Sequence, residues 1–172
     1  LTYAHNEITE IDEPVNVEPY SSRIGHPINS IIGYVSDGLF TSQEEIDRSP
    51  KQSFGNYTVG DIKYKDLNHD GVIDSNDQAP IGYNPVPEMT FSLAAGLNWK
   101  GIDFSILLQG AARSSIYLQQ DIAWDNFWGN YYEEHIGRWT PETAATATYP
   151  RFTKAATAAH PNYYKSDYWL KD

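Results

Sequence analysis

From Met89 to Trp99 the chain alternates without a break. Met89, Phe91, Leu93, Ala95, Leu97 and Trp99 hold the odd positions, and Thr90, Ser92, Ala94, Gly96 and Asn98 the even ones. Successive side chains of a strand point to opposite faces, so one face is apolar and the other small or polar. Lys100-Gly101 reads as a two-residue turn, after which Ile102, Phe104, Ile106 and Leu108 resume the pattern on even positions. A hairpin with that turn sets Trp99 opposite Ile102, Leu97 opposite Phe104, Ala95 opposite Ile106 and Leu93 opposite Leu108, all apolar pairs. On the other face Asn98 meets Asp103, Gly96 meets Ser105 and Ser92 meets Gln109. A slip of one residue would turn the whole apolar set over, so the pattern fixes the register.

Such a hairpin suits either half of a soluble sandwich or a piece of a membrane barrel. Its length favours the barrel. The 11 uncharged residues 89–99 exceed the usual strand of about five or six. At about 3.3 Å per residue and roughly 45° of tilt they span about 25 Å, the height of a barrel's apolar band. Trp99 stands at the turn, where an interfacial aromatic belongs, with Lys100 just beyond it. No run approaches the roughly 20 apolar residues of a transmembrane helix.

The rest of the chain is patterned more weakly. Residues 1–8 read as the end of a strand, 11–18 as an acidic loop broken at Pro14, and 25–35 as a short apolar strand interrupted at Gly33. Asp37-Gly38 is a turn signal. Thr41 with Glu44 and Ser42 with Glu45 form overlapping capping-box pairs, which predict a short helix over 42–47. Residues 60–65 alternate as a strand, and 78–88, with three prolines, read as an extended, irregular exit. Residues 111–166 are aromatic and irregular. So long a stretch suits the outer loops of a barrel better than a compact soluble domain.

Composition narrows the partners. The 172 residues carry 23 acidic and 12 basic side chains, a net charge of −11, with acidity concentrated in 7–18, 44–47 and 61–77. Nucleic acid is excluded as a partner, because phosphate binding needs a basic footprint, and cations are favoured. The absence of cysteine removes disulfides, thiolate nucleophiles and zinc–thiolate sites. Thirteen Tyr and five Trp suit interfaces, sugar platforms and membrane girdles. With no starting Met or signal peptide, and an opening inside the strand-like Leu1-Thr2-Tyr3-Ala4, the chain reads as a piece of a longer protein.

The sharpest chemical motif is residues 66–77. Asp66, Asn68, Asp70, Asp74 and Asp77 occupy positions 1, 3, 5, 9 and 12 of a calcium loop, with Gly71 at 6 and Ile73 at 8. In a calcium reading Asp66, Asn68 and Asp70 are side-chain ligands, Val72 offers its carbonyl, Asp74 binds directly or through water, and Asp77 closes the loop. Asp77 is one methylene shorter than the usual Glu, which weakens bidentate closure. The flanks are not helices, so a structural ion is expected rather than a calcium-driven helix switch. The bland reading is a solvated Asp/Asn/Gly turn that binds nothing.

Other candidates are thinner. His5, His26, His69, His135 and His160 are scattered and read as isolated, solvated side chains. Glu133-Glu134-His135 lacks a second His and a nucleophile signature, and no carboxylate pair has a telling spacing, so no enzyme activity is expected. Trp124, Phe127, Trp128, Tyr131 and Tyr132 could stack on sugars or meet a partner protein, or simply pack on one another.

Several motifs taken in order resemble the SusC/RagA family of TonB-linked outer-membrane transporters. They are Gly33-Tyr34, Asp37-Gly38-Leu39-Phe40, residues 60–68 with the acidic loop and Ile81-Gly82, the turn Trp99-Lys100-Gly101-Ile102-Asp103, and Gln109-Gly110. Arg138-Trp139-Thr140-Pro141-Glu142, Tyr149-Pro150-Arg151 and Ser166-Asp167-Tyr168-Trp169-Leu170 follow in the same sequence. Where the family often has Phe after the Lys-Gly turn, this chain has Ile102. The resemblance implies an all-β chain, a fragment of a large antiparallel transmembrane β-barrel with long extracellular loops, cut from a plugged barrel of about 22 strands. It divides the chain into a barrel strand end (1–8), an extracellular loop region (9–88), a transmembrane hairpin (89–112) and a long extracellular loop leading to the next strand (113–172). It also implies import of oligosaccharides or peptides across the outer membrane of a Gram-negative bacterium, under a SusD-like surface lipoprotein. TonB would act through a part of the protein that nothing here matches. The competing expectation is a soluble calcium-stabilised carbohydrate-binding β module.

Overall fold

The computed structural model describes residues 1–15, 17–118, 131–153 and 160–172. Two strands dominate it. β8 (Met89–Trp99) and β9 (Ile102–Ala112) pair antiparallel over all 11 residues of each. The ladder sets Trp99 opposite Ile102, Leu97 opposite Phe104 and Ser92 opposite Gln109, the register that the alternation predicts. Lys100 (φ 49°) and Gly101 (φ 81°) both sit in the left-handed region, as a two-residue turn matched to strand twist requires. Near the other end Phe91 lies across Gly110, where an added Cβ would come within 2.5 Å of the ring. The aromatic face covers backbone that glycine leaves bare. β1 (Thr2–Tyr3) adds a third strand, with Thr2 opposite Thr90 and Tyr3 opposite Met89. Both faces of this sheet are open: Leu97 stands 65% exposed on one and Leu107 62% on the other.

The remaining strands are short and build a compact body. β2 (Ile31–Tyr34) pairs with β7 (Gln78–Ile81), and β3 (Ser36–Leu39) pairs with β5 (Ile62–Tyr64). β4 (Lys51–Gln52) runs parallel to β6 (Val72–Ile73), and β10 (Ile116–Tyr117) meets β11 (Leu170–Lys171). Buried Tyr34, Ile62, Tyr64, Ile73, Tyr149 and Trp169 form the core, joined by partly buried Phe54, Phe152 and Tyr164. Tyr34, Phe54 and Tyr164 pack ring to ring at 4.5–6.0 Å. The buried Gln52 side chain stands in for a strand, accepting from the Tyr64 N–H (3.0 Å) and donating to the Ile62 carbonyl (3.3 Å). It thus satisfies backbone that the short β4 cannot reach.

Some elements differ from the sequence reading. Asp37-Gly38 is no turn: Gly38 (φ 85°) is the irregularity that breaks register within β3. Residues 78–81 are a strand, with Pro80 opposite Ile32, although three prolines suggest irregular chain. Gly33 does not interrupt its strand. It makes room for the Lys165 carbonyl, which an added Cβ would meet at 2.6 Å. The helix α1 (Gln43–Arg48) forms where capping predicts, and it blends the two expected boxes. Ser42 Oγ accepts from the Glu45 N–H, while the Glu45 carboxylate reaches back to the Thr41 N–H and hydroxyl, each at 2.8 Å. No helix among the described residues is long and apolar enough to cross a membrane.

Candidate functional site

The acidic loop leaves β5, turns through residues 66–77 and enters β7, and its own hydrogen bonds fix its shape. Asp66 accepts from the N–H groups of His69 (2.6 Å) and Gly71 (2.9 Å), Asn68 from Asp70 (3.0 Å), Asp70 from Val72 (2.8 Å) and Asp74 from Asn76 (2.7 Å). Asp77 is fully buried and closes the turn, holding the Leu67 N–H at 2.7 Å with one oxygen and the Asp74 N–H at 2.8 Å with the other. Those donors offset the cost of burying its charge. Ile73, the apolar position, enters the core at 1% exposure, while β6 anchors the loop's midpoint on β4. Tyr20 ties a second acidic segment to the loop by donating to the Asn76 carbonyl at 2.9 Å. Burial, then the charges of Asp77, Glu18, Asp66 and Asp70, push its pKa up.

The donor types of Asp66, Asn68, Asp70, Val72, Asp74 and Asp77 suit a hard cation. Their arrangement is drawn to backbone amides instead, and the Asn68 amide donates to Asp70 at 2.9 Å. Among the described residues no group of three or more His, Asp or Glu side chains is gathered as a metal site. The loop closes itself by hydrogen bonds, and the Asn68 amide bond to Asp70 is one that a cation would compete with.

Sequence reasoning missed the strongest electrostatic feature of the body. Asp61 is fully buried and holds Arg151 Nε at 2.9 Å, the Arg151 terminal nitrogen at 3.1 Å, the Asn162 amide at 2.9 Å and the Thr58 N–H at 2.8 Å. Asn162 also accepts from the Ile62 N–H (2.8 Å), and its carbonyl accepts from the Trp169 indole (2.9 Å). Gly60 (φ 90°) lies so close to Trp139 that a Cβ would fall 2.6 Å from the ring. Motifs that are far apart in sequence thus meet at one knot. Two histidines expected to be solvated are buried in the body, because aromatic packing claims them: His135 (2% exposed) packs tilted against Tyr149 and edge-on to Phe152, and His160 (8%) lies beside Asp61 and Tyr163.

On the body's surface Lys63 bridges Asp37 (2.7 Å) and Glu45 (2.8 Å). Partial burial works against the Lys63 charge, but the bonds from Asp37 and Glu45 outweigh it and raise its pKa. The Lys63 bond, followed by the Thr41 N–H, brings Glu45 down to about 2.

Of the aromatic candidates, Trp124, Phe127 and Trp128 lie outside the described residues. Tyr131 and Tyr132 are exposed and flank His135, Tyr131 with its ring 5.2 Å from Phe152. Nearby, Leu118, Tyr149, Tyr168 and Trp169 wall a cavity of about 170 Å³ with Glu134, Thr148 and Lys171 at its polar edge.

Comparison with known proteins is consistent with the sheet and the ordered motifs. The chain is 33% identical over 133 residues to a TonB-dependent receptor of Formosa agariphila, an alignment covering 74% of this chain and 13% of the relative. The chain therefore spans a small part of that relative's length. No family model matches the chain. The relative is a transport receptor and not an enzyme, in line with the expectation of no enzymatic activity. At the coarse level that this likeness supports, the chain is an all-β segment related to the TonB-dependent receptors of the outer membrane.

Proposed function

We propose that this chain forms part of the wall and outer surface of a SusC/RagA-type TonB-dependent importer of oligosaccharides or peptides. The observation that carries this reading is the hairpin β8–β9, membrane-length and apolar along one whole exposed face. An isolated hairpin of this kind is marginal in water, whereas lipid on one face and neighbouring strands on its edges would satisfy it. The receptor likeness and the ordered motifs support the same placement. In this reading β8 and β9 cross the outer membrane of a Gram-negative bacterium and the body stands outside it. A SusD-like lipoprotein covers the mouth, and TonB acts through another part of the protein.

Exposed Tyr131 and Tyr132 offer aromatic rings to substrate or lid, Trp124, Phe127 and Trp128 remain candidates by sequence alone, and the cavity lined by Tyr168 has room for one ring of a substrate. Residues 66–77 act as a calcium-stabilised clasp that holds the body's shape and takes no part in transport. Calorimetry on the full-length protein tests the clasp: no heat at millimolar calcium, with Asp66→Ala behaving like wild type, sinks it. The importer reading is tested by fractionating cells and following substrate uptake with and without TonB. Detergent-dependent recovery from the outer membrane and TonB-dependent uptake are expected. A freely soluble product that binds glycans would instead favour a calcium-stabilised carbohydrate-binding module.

A further inference from the structure

Where the sheet meets the body, three chain segments converge on Glu88. It is the residue before β8 and is only 6% exposed. His5, just past β1, places Nδ1 2.7 Å from one carboxylate oxygen, and Arg113, just past β9, places Nε 2.8 Å from the other. The backbone repeats the crossing: the Ala4 N–H donates to the Glu88 carbonyl at 2.8 Å, and the Glu88 N–H donates to the Arg113 carbonyl at 3.3 Å. Arg113 adopts φ 59°, a conformation that costs a non-glycine residue about 1 kcal/mol or more and persists only when its surroundings hold it. They do so here, since its guanidinium also lies over the rings of Tyr83 (5.4 Å) and Tyr3 (6.0 Å). Within the sheet's own ladder no other charged side chain is buried in this way among the described residues.

We propose that Glu88 is the mechanical junction of this chain, a buried carboxylate that fixes the body's angle on the three strands by gripping the His5 ring at one flanking strand end and the Arg113 guanidinium at the other. Asp61 makes the body one piece, and Glu88 fastens that piece to the sheet. Movement of the body is then transmitted to β8 and β9 through this grip and not through separate flexible loops. The inference concerns the junction itself, whichever medium surrounds the strands.

Hydrogen exchange on the full-length protein tests it with Glu88→Gln, which keeps volume and loses charge, and with Arg113→Lys, which keeps charge and loses reach. The amides of Ala4 and Glu88 are expected to exchange about tenfold faster in Glu88→Gln, with a smaller change of the same pattern in Arg113→Lys. The amides of Tyr64 and Arg151 in the body, and of the central β8–β9 ladder, are expected to keep their wild-type rates. Trypsin cleavage after Arg113 should accelerate in Glu88→Gln. Unchanged protection at Ala4 and Glu88 overturns the proposal. So does a loss of protection shared equally by the body, because Glu88 would then hold the fold as a whole.

Discussion

The body and the hairpin use their large side chains in opposite ways. In the body Phe40, Ile62, Tyr64 and Ile73 are all but sealed from solvent, and their order along the chain follows no simple period. In the hairpin Leu93, Leu97, Ile102 and Phe104 are each more than half exposed, yet they follow a strict period of two. Burying one such side chain stabilises a protein by about 1.5–3 kcal/mol, so a row of them left open marks a surface built for a non-aqueous neighbour. Polar groups divide the same way. The body hides Asp61 and Asp77 behind full sets of donors, whereas the hairpin keeps Asp103 at the turn, bonded to the Asn98 side chain. Water shapes the first region from outside, and in the proposed importer the second turns its apolar face to lipid.

The largest effect separating the two is expected at the Asp61 knot. Asp61→Ala leaves Arg151, Asn162 and the Thr58 N–H without their acceptor and should destabilise the body by about 3–5 kcal/mol. The hairpin's protection from hydrogen exchange should survive. Next comes a charge placed on each face of β8. Ala95→Arg, on the apolar face, should cost about 2–4 kcal/mol in lipid, while Ala94→Arg, one residue away on the other face, should cost far less. Folding titrations of the full-length protein in bilayers measure both.

A smaller effect is expected in the loop. Asp77→Asn puts a donor beside the N–H groups of Leu67, Asn68 and Asp74, and should cost about 1–3 kcal/mol without calcium. The smallest is a pH effect at Glu45. Its folded-state pKa lies below the ordinary carboxylate value, so its contribution is complete above about pH 4.5 and is lost as pH falls toward about 2. Lys63→Met should lessen that acid sensitivity, leaving the part held by the Thr41 bonds, at a neutral-pH cost of up to about 1 kcal/mol, as measured by denaturation at both pH values.

What could be read from the sequence was local. The hairpin's register follows from alternation and a turn whose two residues accept positive φ, and the cap of α1 follows from Ser42 and Glu45, three residues apart. The acidic loop announces its ligand types at fixed spacing, but not that Asp66, Asn68 and Asp70 turn to backbone amides. The rest depends on partners far along the chain. Arg151 meets Asp61 across 90 residues, and β2 finds β7 across a stretch holding four other strands and a helix. Neither carries a period that a window could detect. His135 and His160 look like surface residues until aromatic packing encloses them. Gly60 has a signal only in retrospect, in its need to admit the Trp139 ring.

What touches the two faces of the hairpin decides whether it forms a lipid-facing wall. Single cysteines introduced at each position from residue 91 to 98 of the full-length protein, which has none in this segment, can be labelled in intact outer membranes with a water-soluble thiol reagent. Labelling with a period of two is predicted: Ser92, Ala94, Gly96 and Asn98 positions react from the lumen, while Phe91, Leu93, Ala95 and Leu97 positions stay protected until detergent strips the lipid. Equal labelling of both sets, or protection that detergent leaves untouched, would contradict a lipid-facing wall.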